Sequence, residues 1–300
     1  MRFWCSALEE PWSWAWRAYP GVWAATAAIA APYLVARRRA RKMRPRPLEP
    51  ADAAIERRQM WLFLTGVLAF WVASDWPLGV LGAGYLASAH MAQFMLYTLV
   101  AAPLLVLGTP EPMARRILAK LRLYRVMTRL TQPVFAGLVF NGCLVATHSP
   151  WAVDTLRANQ FGSFVMDAVW LVSGVLVWLP ICSPLTEHRL RAYPGKMVYL
   201  FLALGVVPAV PAGFLTFASF PLYATYELAP RFYGLDAATD QQTAGLIMKL
   251  GGIPIVWGTI VAMMMRWADE SRESVPKLPP AGGEHREAPA RSVDAETATE

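Results

Sequence analysis

The chain has 300 residues, 56% of them hydrophobic and only 16% charged. Soluble domains carry nearer a quarter charged residues, and several apolar runs here approach the ~20 residues needed to cross a bilayer. A soluble globular domain is therefore excluded. The net charge of +7 raises nucleic acid as a partner, but the charges sit in loops between apolar runs. That is a pattern of membrane orientation rather than of a binding stripe, so the partner expected is the lipid bilayer and not nucleic acid.

The apolar runs are continuous instead of alternating, which predicts a helical bundle over a β-barrel. Residues 1–19, with Trp4, Trp12, Trp14 and Trp16, read as an interfacial N-terminal lead, because Trp favours the membrane–water boundary. Seven spans follow, at about 20–36, 60–76, 84–108, 132–147, 162–181, 196–220 and 242–265. They make a membrane domain over 20–267. The stretch 109–131 is basic, with Met113, Ile117, Leu121 and Tyr124 at helical spacing, and reads as one amphipathic surface helix. Pro208, Pro211 and Pro221 predict a kinked sixth span. Residues 268–300 are charged and rich in Pro, Ala and Glu, and are expected to be a disordered cytoplasmic tail.

Lys and Arg fall unequally on the two sides of these spans. Segments 37–59, 109–131, 182–196 and the tail hold 23, whereas the alternate set holds four; Lys249 lies inside the seventh span. The positive-inside rule then puts the N-terminus outside and the C-terminus in the cytoplasm. The localisation expected is a bacterial inner membrane, crossed several times. Cys5, Cys143 and Cys182 form no CxxC pair, and the latter two read as small buried hydrophobes. His188 and His285 fall on the cytoplasmic side and are expected in solvent.

The third span, GYLASAHMAQFMLYTLVAAPLLVLGTPEP, carries His90, Met91, Gln93 and Met95 within six residues. An ionisable residue inside a membrane is by default a functional candidate. With the orientation above, His90 lies roughly 9 Å below the outer surface at 1.5 Å per residue, and Met91 and Met95 share a helix face. Other spans bring His148, Asp75, Met166, Asp167, Asp240, Gln241 and Met248 to the same layer. Imidazole with thioether suits copper, and thioether selects Cu(I). His90, Met91, Met95, His148 and Met248 are therefore candidate copper ligands. Asp75, Asp167, Asp240 and Gln241 form the polar set that could orient them. Packing is the competing role for the methionines, and capping for His148. The sequence has no HExxH, no Walker A loop, no GxGxxG and no GxSxG, so an enzyme is not expected. A haem held by His90 and His148 stays open as an alternative.

The segment AHMAQFMLYTLVAAPLLVLGTP resembles the HM-x-x-HM…PPL-x-x-x-G-x-P stretch of the CtaG-like membrane proteins linked to caa-type cytochrome c oxidase assembly. THSPW resembles that family's H-x-P, and Tyr226 with DQQTAGLIMKLGG is similar to its Y…DQ-x-x-GG-x-x-M. The likeness covers about residues 55–265. It implies a non-enzymatic inner-membrane factor that handles copper at the periplasmic face during maturation of a haem-copper oxidase. The partners implied are oxidase subunits and a periplasmic copper chaperone. His90, Met91, Met95, His148, Asp240, Gln241 and Met248 fall on motif positions. Phe94 stands where the family has its second histidine, and Met166–Asp167 where a further histidine is common, so a multi-histidine copper site would be short of ligands. A transporter of copper or another small solute is the alternative function.

Overall fold

The computed structural model describes residues 2–8 and 10–273. These residues form helices and connections, with no strand among them. Helix α1 spans Pro20–Lys42, α2 Pro50–Ser74 and α3 Leu78–Gly84. Helix α4 is the continuous stretch Ala87–Gly108. Two short helices follow, α5 (Glu111–Lys120) and α6 (Tyr124–Leu130), then α7 (Pro133–Thr147), α8 (Pro150–Arg157) and α9 (Gln160–Cys182). Helix α10 is Tyr193–Phe217, α11 Ala224–Glu227, α12 Ala237–Gly251 and α13 Ile253–Glu273. Proline opens several of these helices, at Pro20, Pro50, Pro133 and Pro150. Its fixed φ suits the first helical turn, where its missing N–H has no partner to lose.

Four stretches among the described residues are long and apolar enough to cross a membrane: α4, α9, α10 and the α12–α13 pair. The count rises to six if α2 with α3, bent by 46°, and α6 with α7, bent by 80°, are each one span. Helix α1 falls short because its apolar part is built largely of alanine and is interrupted by Pro32 and Tyr33. The α12–α13 pair runs 36 residues, roughly 54 Å at 1.5 Å per residue, which is longer than a hydrocarbon core.

Helix α4 is the hub of the bundle. It packs against α2, α3, α9 and α12, and 67% of its apolar window is buried against 11% for α12–α13. Its middle, Leu96–Ala101, widens into π-helical turns, and so does Phe201–Val206 of α10. Both segments precede a proline, Pro103 and Pro208. Proline lacks the N–H that the carbonyl four residues back would accept from, and its ring crowds that carbonyl. Those carbonyls belong to Leu99 and Leu204, inside the two widened segments. The wider turn accommodates each proline without breaking the helix, so the sixth span is re-registered at Pro208.

Several expectations change. The basic stretch 109–131 is two helices instead of one, because Arg122 sits at φ 53° in the left-handed region and ends the run. His188 is buried, with Nδ1 2.9 Å from the Thr131 hydroxyl; burial pushes its pKa down, while a hydrogen bond from Arg115 holds the neighbouring Glu187 carboxyl low. The N-terminal lead divides. Trp14 and Trp16 are exposed, whereas Trp4, Cys5 and Leu8 are buried in the bundle. Cys143 and Cys182 are half-buried, and all three cysteines are free. Residues 268–273, expected to be disordered, continue α13. The rest of the expected tail, with His285, lies outside the described residues.

Candidate functional site

The N-terminal turns of α4 are held in place by another helix. Asp240 of α12 accepts from the backbone N–H of Ala87 at 2.5 Å, from that of Ser88 at 3.2 Å, and from the Ser88 hydroxyl. It thus satisfies orphan donors at the start of α4. Its neighbour Gln241 grips the loop before it, accepting from Leu222 N–H at 2.6 Å and donating to the Phe220 carbonyl at 3.2 Å. Both residues are buried and both act on backbone. Asp240→Ala is expected to destabilise the fold by about 1–2 kcal/mol, the value of a lost helix cap, read from the thermal unfolding midpoint of the purified protein.

One turn further along α4, His90 is fully buried. Its Nδ1 lies 2.8 Å from the Tyr226 hydroxyl, which donates to the Gly82 carbonyl at 2.7 Å. The Arg157 Nε–H donates to the same Nδ1 at 3.3 Å. Gly82 permits this closeness: a Cβ there would strike the side-chain amide of Gln93, whose Nε2 donates to the Ala73 carbonyl at 2.7 Å. From the end of α7, His148 enters the same layer. Its Nδ1 is 2.8 Å from the Leu144 carbonyl. A carbonyl only accepts, so that nitrogen carries the proton and Nε2 keeps the lone pair. The two imidazole rings are 5.8 Å apart. Neither Nε2 has a hydrogen-bond partner, although both are buried.

Aromatic rings and a buried ion pair enclose the two histidines. Trp170 lies 4.8 Å from His90 and 5.7 Å from His148, and its indole N–H donates to Thr147 at 2.9 Å. The Arg157 guanidinium stands over Trp170 at 5.1 Å and 3.0 Å from Asp167 Oδ1. The other carboxylate oxygen, Oδ2, accepts from the Trp4 indole at 2.8 Å. Arg157 is wholly buried and Asp167 nearly so.

The structure therefore brings together His90, His148 and Asp167, the last acting through Arg157. Met91 and Met166 are fully buried in the same core. Met95 and Met248 go elsewhere. They line a cavity of about 230 Å³ between α4, α10 and the α12–α13 pair, together with Lys249. Phe94 lines that cavity too, and its ring meets His148 at 4.7 Å. It thus separates the thioethers from the imidazoles. Asp75 closes α2, accepts from Trp76 N–H at 2.9 Å and makes no contact with either histidine. Among the described residues no three His, Cys, Asp or Glu side chains converge as a metal cage. Sequence reasoning missed Arg157, Trp4 and Trp170. The signal for Arg157 was present, since it is the only cation in 148–161 on the cation-poor side.

Helices long enough to cross a membrane, packed around a buried polar layer with two histidines, define a multi-pass helical membrane protein with an internal polar site. The chain belongs to the cytochrome c oxidase caa3 assembly factor family, whose sequence profile matches residues 31–270. It is also similar to two uncharacterised proteins, one from Mycobacterium bovis and one from Mycobacterium tuberculosis. Each is 26% identical over 227 residues, which cover 70% of this chain and 34% of the relative. The chain thus spans about a third of the length of these curated relatives. No solved structure matches it.

Proposed function

We propose that this chain assists maturation of a haem-copper oxidase by handling copper, as cargo, at the outer face of a bacterial inner membrane. The observation that carries the reading is the His90–His148 pair, two buried imidazoles 5.8 Å apart, each with an unsatisfied Nε2. Buried polar atoms are ordinarily paired, and an orphan in a native site calls for a ligand or a role. Family membership supplies the oxidase. The uneven Lys and Arg content of the connecting segments supports the orientation in this reading, with the histidine layer near the periplasmic surface.

The chemistry follows from the neighbours. Nδ1 of His90 accepts from the Arg157 Nε–H as the site stands. For His90 to offer Nε2 to a metal, that N–H must turn away and Nδ1 must take the proton and donate to Tyr226, whose own proton goes to Gly82. The 2.8 and 2.7 Å contacts allow that relay. The Arg157 charge would repel a cation, but Asp167 at 3.0 Å offsets it. Two neutral nitrogen donors suit a monovalent ion held for transfer better than a divalent ion held permanently, and Met91 is the thioether nearest in sequence to His90. Oxidase subunits would be the recipients, and a periplasmic copper chaperone the donor.

Metal analysis of the purified protein under reducing conditions tests the reading. Wild type is expected to retain copper. His90→Ala should lose at least the roughly tenfold in affinity that changes around a metal ligand already cost. Met95→Leu, in the separate cavity, should retain it. A deletion strain with normal oxidase activity and normal oxidase copper would sink the proposal. Copper uptake into vesicles holding only this protein would favour the transporter instead.

A further inference from the structure

At the arginine-rich end of the bundle, far along α1 and α4 from the histidine layer, α1, α2 and α5 enclose a cleft of about 770 Å³. That lies within the roughly 300–1,000 Å³ usual for small-molecule sites. Its inner wall is apolar. Tyr33 and Phe63 stack at 3.7 Å, and Ile29, Pro32, Met113 and Ile117 continue the wall. Its outer wall is cationic, with Arg37, Arg41, Arg44, Arg116 and Lys120. Only two carboxylates line it, and Glu111 is already engaged by Arg115 at 2.8 Å. Glu56 alone faces three arginines, at 3.6, 4.0 and 2.5 Å from Arg37, Arg41 and Arg44.

Arg37 is the telling residue. It is 7% exposed, at the junction of the apolar and cationic walls. Its Nη1 donates to the Tyr33 hydroxyl at 3.3 Å, and that hydroxyl donates to the Gly108 carbonyl at 3.0 Å. Its Nη2 is buried and makes no hydrogen bond, only the long 3.6 Å ion pair with Glu56. A buried guanidinium N–H held only by a long ion pair is under-satisfied, and a phosphate oxygen entering the cleft would complete its hydrogen bonding.

We propose that this cleft binds an anionic phospholipid, with the headgroup phosphate on Arg37 and Arg116 and the acyl chains along the Tyr33–Phe63 wall. Basic pockets between membrane helices favour such headgroups. The long apolar wall selects a lipid over a free anion, because a free phosphate would leave it idle. The site shares no residue with the histidine layer and does not depend on the copper reading.

Native mass spectrometry of the full chain, released from detergent in an equal mixture of phosphatidylglycerol and phosphatidylcholine, tests this. Wild type is expected to retain phosphatidylglycerol preferentially. Arg37→Gln and Arg116→Gln should each weaken that preference about fivefold, the factor for one cation near an anionic lipid surface. Arg116 lies on an exposed helix face, so its variant keeps the test valid should Arg37→Gln fail to fold. A paired Arg125→Gln/Arg129→Gln variant, on α6 and outside the cleft, should leave the preference intact. No headgroup preference, an equal loss in that α6 variant, or inorganic phosphate binding as tightly as the lipid would each overturn the proposal.

Discussion

Asp167→Ala is expected to destabilise the protein by about 3–5 kcal/mol, the cost of breaking a buried ion pair by removing one partner. The reason lies in what remains. Arg157 has no exposed surface and its guanidinium cannot lose its proton. With the carboxylate gone, the positive charge faces His90, Tyr226 and Trp170, none of them an anion. Trp4 loses its acceptor at the same time, which loosens the N-terminal segment. The readout is the thermal unfolding midpoint of the purified protein. A double variant, Arg157→Met with Asp167→Leu, should recover much of the loss, because an apolar pair of similar volume needs no charge balance. A midpoint unchanged in Asp167→Ala would mean that water reaches the guanidinium.

Phe94→His is expected to raise copper retention by more than the roughly 10–100-fold that groups around a metal site control. The Phe94 ring lies 4.7 Å from His148 and 5.4 Å from Trp170. An imidazole there would join the two whose Nε2 atoms lack partners, completing three nitrogen donors on α4 and α7. It would also open a route from the imidazoles to Met95 and Met248, since Phe94 is the wall between them. Equilibrium dialysis with Cu(I) against the wild type measures the gain. Equal retention in the two proteins would show that His90 and His148 do not act as metal donors, and the proposed function would lose its principal support.

Much of the architecture was legible because membrane spans follow from composition and length alone. The third span was readable as the organising element, since polar residues inside an apolar run are costly and need partners. Which partners they find was not readable. Asp240 is four residues from Ala244 in sequence but acts on Ala87 and Ser88, 153 and 152 positions away. Met248 shares its helix with Asp240, yet a drift of two turns carries it past Phe94 into a different cavity. Arg157 read as an ordinary loop charge, and only its burial against Asp167 makes it part of the site. Trp4 read as an interfacial residue for the same reason: tryptophan at a chain end most often seeks the boundary, and nothing local in the sequence announces a carboxylate 163 positions away.

The bond between Trp4 and Asp167 also sets an order of events during synthesis. Chains are made and fold from the N-terminal end, and helix α4, which carries His90, emerges early. Its first turn stays uncapped until residue 240 is in place, and His90 lacks its hydroxyl partner until residue 226 is. The segment holding Trp4, made before α9, must wait for residue 167 before Trp4 can settle. The histidine layer is therefore closed last, when α11 and α12 reach α4. A nascent chain halted after α9 would display both imidazoles without Tyr226 or Asp240 around them, so arrest at that length isolates the site in its open form.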